Sequence, residues 1–287
     1  MTSYSHLSDR AKQALCLDPE GRWACAKSLP FIPTRDCVVA LRWMSYQRRY
    51  SSGFSRAHGT LVVGAPGMGK SMLLGHYMSL HGQPYQSGDG RRCRSAVAIE
   101  APIDGDPSRL RDSICHACLA GLGSVTLYDS DVVSSLHSVR AKQLLIDEAG
   151  NLLHTGPRMQ QKSLALLKKM SNAGIAIVLA TTTRLNTVIA LDEQLNDRFR
   201  RVELRSWIES NDLRSFLDAV ERELPLPEPS YLSCPEIIRW IIGSGLTRTG
   251  VFMEVIFQAC HRAFLKDWPC LSLKRMEEAL DDPLPPD

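Results

Sequence analysis

The eight residues Gly64-Ala65-Pro66-Gly67-Met68-Gly69-Lys70-Ser71 fill the pattern G-x-x-x-x-G-K-[ST], and few short stretches restrict a fold as tightly. Such a loop must be free of bulky side chains so that its backbone N–H groups can curl around β- and γ-phosphates. It must also leave a strand and open a helix, because the helix N-terminus supplies further donors and the positive end of a dipole. Both neighbours are present: Thr60-Leu61-Val62-Val63 is an apolar run of strand length, and residues 71–80 read as a helix. Lys70 is placed to reach the β/γ oxygens and the Ser71 hydroxyl to take one Mg²⁺ position. The chain is expected to bind a nucleoside triphosphate.

Beyond the loop, strands and helices alternate. Ser95-Ala96-Val97-Ala98-Ile99-Glu100 reads as a strand, residues 107–122 as a helix, and Lys142-Gln143-Leu144-Leu145-Ile146-Asp147-Glu148 as a strand. A helix over 158–172 leads to Ile175-Ala176-Ile177-Val178-Leu179-Ala180-Thr181, a near-continuous apolar run of the kind buried on both faces. Arg201-Val202-Glu203-Leu204 completes about five strands, which implies an α/β core with a parallel sheet covered by helices. Ahead of the core, Val38, Leu41 and Met44 recur at helical spacing, and residues 47–58 read as a basic loop.

After Ser206 the pattern becomes helical only. Ser206-Trp207-Ile208-Glu209 has capping-box form, and Leu213, Phe216, Leu217, Val220 and Leu224 share a face. Further helices are expected over 235–242, 250–266 and 272–280. This divides the chain into an N-terminal extension (1–30), a nucleotide-binding core (31–206) and a small α-helical lid (207–287). An acidic, proline-rich stretch, Asp281-Asp282-Pro283-Leu284-Pro285-Pro286-Asp287, follows the last of these helices.

Composition narrows the class without naming a function. The 287 residues are 44% hydrophobic and 23% charged with a net charge of +3, an ordinary soluble balance that permits nucleic-acid contact without requiring it. No apolar run is long enough for a membrane helix, and the first residues lack signal-peptide layout. A cytoplasmic protein without a membrane role is expected. The nine cysteines include one CxxC, Cys115-His116-Ala117-Cys118, on a helical pattern without a second pair at zinc-site distance. Small buried thiols are the simpler reading.

Three further stretches carry chemistry. Leu144-Leu145-Ile146-Asp147-Glu148 has Walker B form: Asp147 would hold Mg²⁺ and Glu148 would orient or deprotonate the attacking water. Thr181, Thr182 and Thr183 end the next strand, where a hydroxyl can report on the γ-phosphate; Thr181 or Thr182 is the expected contact. Asp192-Glu193-Gln194-Leu195-Asn196-Asp197-Arg198-Phe199-Arg200-Arg201 is arginine-dense, and an arginine inserted at a neighbour's γ-phosphate stabilises transition-state charge.

These elements stand in AAA+ order, and finer features resemble the TniB/TnsC family of ATPase subunits from bacterial DNA transposition systems. The resembling residues are Phe31-Ile32-Pro33-Thr34-Arg35-Asp36, the loop through Met72, and Ile146-Asp147-Glu148-Ala149-Gly150-Asn151-Leu152-Leu153. Asp192-x-Gln194-Leu195-x-x-Arg198-Phe199 and Glu223-Leu224-Pro225-Leu226 with Ser230-x-Leu232 complete the set. Gly150 departs from the pattern, standing where the family often has His.

The resemblance implies an ATP- and Mg²⁺-dependent oligomer, a ring or helical filament on duplex DNA. It would recruit a DDE-type transposase and a TniQ-like target-selection protein, and disassemble on hydrolysis. Ile32 and Pro33 would lie near the adenine, and Arg198 would come from the next protomer. Arg109, Arg111 and Thr126 would meet DNA phosphates. A helicase-loader-like AAA+ ATPase and a nucleotide-gated scaffold with negligible hydrolysis are the alternatives.

Overall fold

The computed structural model describes residues 4–282 apart from 52, 121–130, 183–184, 186–188 and 190–191. It contains two compact units, one spanning residues 36–205 and the other combining residues 1–35 with 206–287. Helices α1 (Asp9–Ala14) and α2 (Pro19–Lys27) precede α3 (Arg35–Tyr50). Then come β1 (Gly59–Gly64), α4 (Lys70–His81), a hairpin of β2 (Tyr85–Gln86) and β3 (Arg92–Cys93), β4 (Ala96–Glu100), α5 (Pro107–Leu119) and α6 (Val132–Ser138). Strand β5 (Gln143–Asp147), a 3-10 turn (Ala149–Leu153), α7 (Pro157–Asn172), β6 (Ala176–Thr181), α8 (Glu193–Asn196) and β7 (Phe199–Leu204) complete the α/β unit. Helices α9 (Asn211–Glu223), α10 (Pro235–Gly243), α11 (Thr249–Leu265) and α12 (Leu273–Asp281) follow.

The five-stranded sheet has the order β4-β5-β6-β1-β7 with every pair parallel. All six residues of β1 and of β6 are buried, as expected for strands covered on both faces. Leu61, Leu144, Ile146 and Leu179 pack with Leu110, Ile114 and Leu167 from the covering helices. Because the strands run in one direction, Gly64, Asp147 and Thr181 all finish at the same edge of the sheet. Strand order reverses between β1 and β6, and open α/β sheets bind ligands at the carboxyl ends beside such a switch point.

Helix α3 runs further than the basic loop expected from residue 47 onward. Its C-terminal part is held by a buried polar side chain: Gln47 Nε2 donates to the Gly59 carbonyl at 2.7 Å, and the Thr60 hydroxyl donates to Gln47 Oε1. A glutamine in the core breaks the apolar periodicity by which a helix is read.

The helical unit differs from expectation in two ways. The N-terminal extension, from residue 4 on, packs as part of it: Ala26 is fully buried in the cluster of Leu213, Leu217, Phe252 and Phe264. Ser8 N–H donates to Arg222 O at 2.8 Å and its hydroxyl to Glu223 Oε2 at 3.0 Å. The guanidinium of Arg22, itself buried, donates to Pro225 O from Nη2 at 3.0 Å and lies 4.7 Å from the Phe264 ring centre. The expected capping box at Ser206 is not formed. Residues 205–208 are extended, Trp207 is buried against Phe216, and Ser210 caps α9 by accepting from Leu213 N–H at 3.2 Å. Among the described residues, no helix is long and apolar enough to cross a membrane.

Candidate nucleotide site

The phosphate loop begins where β1 ends. Gly67 and Gly69 have φ of +78° and +85°, the left-handed region in which a side chain is strained. A Cβ at either would meet no atom within 4 Å, so conformation alone, with no crowding, requires glycine there. Gly69 is the N-cap of α4 and offers no side-chain cap, leaving the first-turn N–H groups for an anion. Ser71 and Met72 are exposed beside this turn, whereas Lys70 is only 6% exposed. Lys70 Nζ donates to the carbonyls of Gly64 at 3.0 Å and Ala65 at 3.1 Å. Burial pushes its ammonium below the usual range, while the Glu148 and Asp147 carboxylates pull it back up. Walker A and Walker B therefore converge on one amine.

Asp147 closes β5 in register with Glu100 of β4. Its Oδ1 accepts from Glu148 N–H at 2.8 Å, which leaves Oδ2 for a ligand. Glu148 has φ +45°, a left-handed conformation that costs a non-glycine residue about 1–3 kcal/mol and is found where function over-determines the backbone. The turn behind it is tied down. Asn151 Nδ2 donates to Ala101 O at 3.1 Å, and His154 Nδ1 lies 3.0 Å from Ile103 O. Asn151 holds the Walker B turn against the loop after β4, a role the motif alone did not assign.

The two threonines at the end of β6 divide. Thr181 pairs in register with Val63, is fully buried, and its Oγ1 has no hydrogen-bond partner among the described residues. Thr182 directly follows the strand and is half-buried. Gly150 lies against both: a Cβ there would stand 3.3 Å from Thr181 Oγ1 and 3.8 Å from Thr182 Oγ1. Thr183 lies outside the described residues.

Arg198 is elsewhere. It directly precedes β7, and its carbonyl accepts from Gly59 N–H at 2.9 Å, at the start of β1. The phosphate loop leaves the other end of that six-residue strand, about 17–20 Å away. The Arg198 side chain donates to Ser171 Oγ at 3.1 Å and Asn172 Oδ1 at 2.9 Å, at the C-terminus of α7, where a cation is favoured by the helix dipole.

The remaining expected residues are dispersed. Ile32 packs on the core of the helical unit and Pro33 is exposed; their part in adenine binding rests on the family resemblance. Arg109 and Arg111 open α5 and pair with Asp104 at 2.8 Å and Asp112 at 3.1 Å, exposed pairs that are cheap to exchange. Thr126 lies outside the described residues. The CxxC thiols are buried in α5, and burial pushes Cys118 up to about 12. Such a thiol is inert at neutral pH.

The groups at the carboxyl edge fit a nucleoside triphosphate with Mg²⁺. An uncapped helix start, two left-handed glycines and a lysine held by loop carbonyls are matched to phosphate oxygens. Ser71 and Asp147 supply oxygen donors, the chemistry Mg²⁺ prefers. Among the described residues, no group of three or more His, Cys, Asp or Glu is positioned to hold a metal alone.

A five-stranded parallel sheet in this order, with a phosphate loop and Asp-Glu on neighbouring strand ends and helices after it, is the AAA+ ATPase fold. The ORC2 protein of Aeropyrum pernix, solved in ADPNP-ADP complexes, superposes with a TM-score of 0.63 at 14% identity, over 92% of this chain and 72% of that one. The ORC1 protein of Aeropyrum pernix, in complex with DNA, gives 0.62 at 15% over 91% and 69%. AMPPCP-bound DnaA from Aquifex aeolicus gives 0.52 at 15% over 92% and 69%. No curated protein matches the sequence. The model of the family described as "Bacterial TniB protein" matches residues 22–209. The chain belongs to the TniB family.

Proposed function

We propose that this chain is an ATP-dependent regulator of DNA transposition. It assembles as a homo-oligomer, ring or filament, on duplex target DNA. There it recruits a DDE-type transposase and a TniQ-like target-selection protein, and it leaves the DNA on hydrolysis. One observation carries the reading most: Lys70, Asp147 and Glu148 converge at one edge of the sheet while Arg198 stands at the other. A complete hydrolytic site then needs two copies of the chain.

In this mechanism, backbone N–H groups of residues 67–71 wrap the triphosphate, and Lys70 exchanges the Gly64 and Ala65 carbonyls for β/γ oxygens. Ser71 and Asp147 would hold Mg²⁺, which when bound would neutralise phosphate charge. Glu148 accepts or orients the proton of the attacking water, and Thr182 reads the γ-phosphate position. Arg198 of a neighbouring copy leaves Ser171 and Asn172 to stabilise charge developing in the transition state. Assembly is then linked to triphosphate by mass action. Arg109 and Arg111 would exchange their carboxylate partners for DNA phosphates, contacts that carry little sequence preference.

Electron microscopy of the purified chain with random-sequence duplex DNA, in ATP, a non-hydrolysable analogue and ADP, tests the reading. Regular assemblies on DNA in the triphosphate states alone are expected. No assembly in any nucleotide state contradicts it and favours a loader that requires a protein partner.

A further inference from the structure

Conformation requires glycine at Gly67 and Gly69, but not at Gly150, whose φ lies outside the left-handed region. Crowding requires it there instead. A Cβ at position 150 would stand 3.3 Å from Thr181 Oγ1, closer than side chains ordinarily pack. Thr181 has little room to yield. It is fully buried at the end of β6, a strand flanked by β5 and β1 and buried at all six positions. Its β-branched side chain is stiff at χ1, and one rotation would only put the methyl group where the oxygen stands.

The opposite side of the turn is closed as well. Residues Ala149–Leu153 form the 3-10 turn that follows β5, and β5 lies between β4 and β6. On the β4 side, Gly105 has φ +66°, and a Cβ there would stand 2.6 Å from Asn151 O. The bond from Asn151 Nδ2 to Ala101 O ties the turn to the same loop. The turn is therefore held between the loop after β4 and the end of β6, with a glycine at each contact. Its own bonds are few: Asn151 N–H donates to Glu148 O and His154 N–H to Asn151 O, both at 2.9 Å. Glu148 is the N-cap of this turn, so whatever shifts the turn shifts Glu148.

We propose that Gly150 is a positioning residue for Glu148: the missing side chain lets the Walker B turn close on Thr181, and that contact sets the reach of the Glu148 carboxylate. A side chain at 150 would push the turn, the softer partner, off the strand end by about a few tenths of an ångström. Misplacement of a reacting group by about 1 Å can cost about 10²-fold in rate. The loop that would wrap the phosphates follows β1 and is untouched by such a shift. The effect on hydrolysis rests on the function proposed above; the close approach at Gly150 does not.

The test combines Gly150→Ala with two changes at Thr181 in the full chain. Thr181→Ala removes the crowding atom, and Thr181→Val keeps a group of similar size in its place. Gly150→Ala alone should lower kcat for ATP about tenfold, with the Kd for a non-hydrolysable analogue within about twofold. Gly150→Ala/Thr181→Ala should return to the rate of Thr181→Ala alone, while Gly150→Ala/Thr181→Val should stay about tenfold below Thr181→Val alone. Hydrogen exchange without nucleotide reads the turn itself. The Asn151 and His154 amides should exchange about tenfold faster in Gly150→Ala, and Thr181→Ala should restore their protection. The proposal is overturned if Gly150→Ala leaves the rate or the exchange native, or if Thr181→Val relieves its defect as fully as Thr181→Ala. A native chain that hydrolyses no ATP would contradict the function proposed above instead. The exchange pattern then decides alone: faster exchange relieved by Thr181→Ala supports the close approach, and native exchange overturns it.

Discussion

Lys70 and Arg198 stand at opposite ends of β1: Lys70 opens the helix after the strand's last residue, and the Arg198 carbonyl accepts from the N–H of its first, Gly59. A six-residue strand separates them, about 17–20 Å, too far for one side chain to bridge. Any chemistry that needs both groups needs two copies of the chain.

Glu148 should separate hydrolysis from binding. Replacing it by glutamine keeps size and hydrogen bonding but removes the base, so phosphate release should fall about 10²–10⁴-fold with ATP affinity within about threefold. Glu148→Gly should lose hydrolysis equally, yet melt no earlier, because glycine relieves the strain of φ +45°. Negligible phosphate release from the native chain, unchanged in the glutamine variant, would identify a scaffold, and native-level release in the variant would take the catalytic role from Glu148.

Two glycines of the same region make an internal control. Gly69→Ala forces a side chain onto φ +85° and should cost about 1–2 kcal/mol while weakening nucleotide binding about tenfold or more. Gly75, inside α4, has ordinary φ and open space around a Cβ. Gly75→Ala should raise stability by about 0.5–1 kcal/mol and leave nucleotide affinity alone. Isothermal calorimetry and thermal melts read both.

Much of this site is legible in the sequence because glycine, lysine and acidic residues at strand ends have few other uses in such spacing. β1, β5 and β6 are legible for a related reason: runs such as Leu144-Leu145-Ile146 are apolar enough to be buried on both faces. Illegible parts depend on contacts distant in sequence. Gln47 extends α3 through a bond to Gly59, and polar residues score against burial. α2 turns few residues inward, Ala26 and Arg22 among them, so its periodicity is faint. Ser206 and Ser210 both precede helical patterns, and only the burial of Trp207 selects the second as the cap. That Thr181 is buried and Thr182 half-buried depends on where β6 stops.

The two threonines should respond oppositely to loss of the hydroxyl. Thr181→Val removes a buried oxygen without a partner among the described residues and should leave stability unchanged or raise it by about 1 kcal/mol. Thr182→Val should leave stability within about 0.5 kcal/mol and slow hydrolysis about tenfold or more. A thermal melt and a phosphate-release assay on each variant distinguish them.

In the helical unit, Arg22→Ala should cost about 2–3 kcal/mol. It removes the bonds to Pro225 O and the packing over Phe264 that join α2 to the C-terminal helices. Chemical denaturation would show the loss. A change under about 0.5 kcal/mol would mean that α2 is not held by this contact.

The composite site is tested most directly by mixing two inactive variants. Glu148→Gln has a sound Arg198, and Arg198→Ala has a sound Walker B. In equal mixtures bound to duplex DNA, about a quarter of the interfaces would join one sound Glu148 to one sound Arg198. The account predicts ATP hydrolysis near a quarter of the native rate, from two preparations that are each inactive alone. Hydrolysis that stays at the level of the separate variants, in mixtures shown by microscopy to co-assemble, would contradict it.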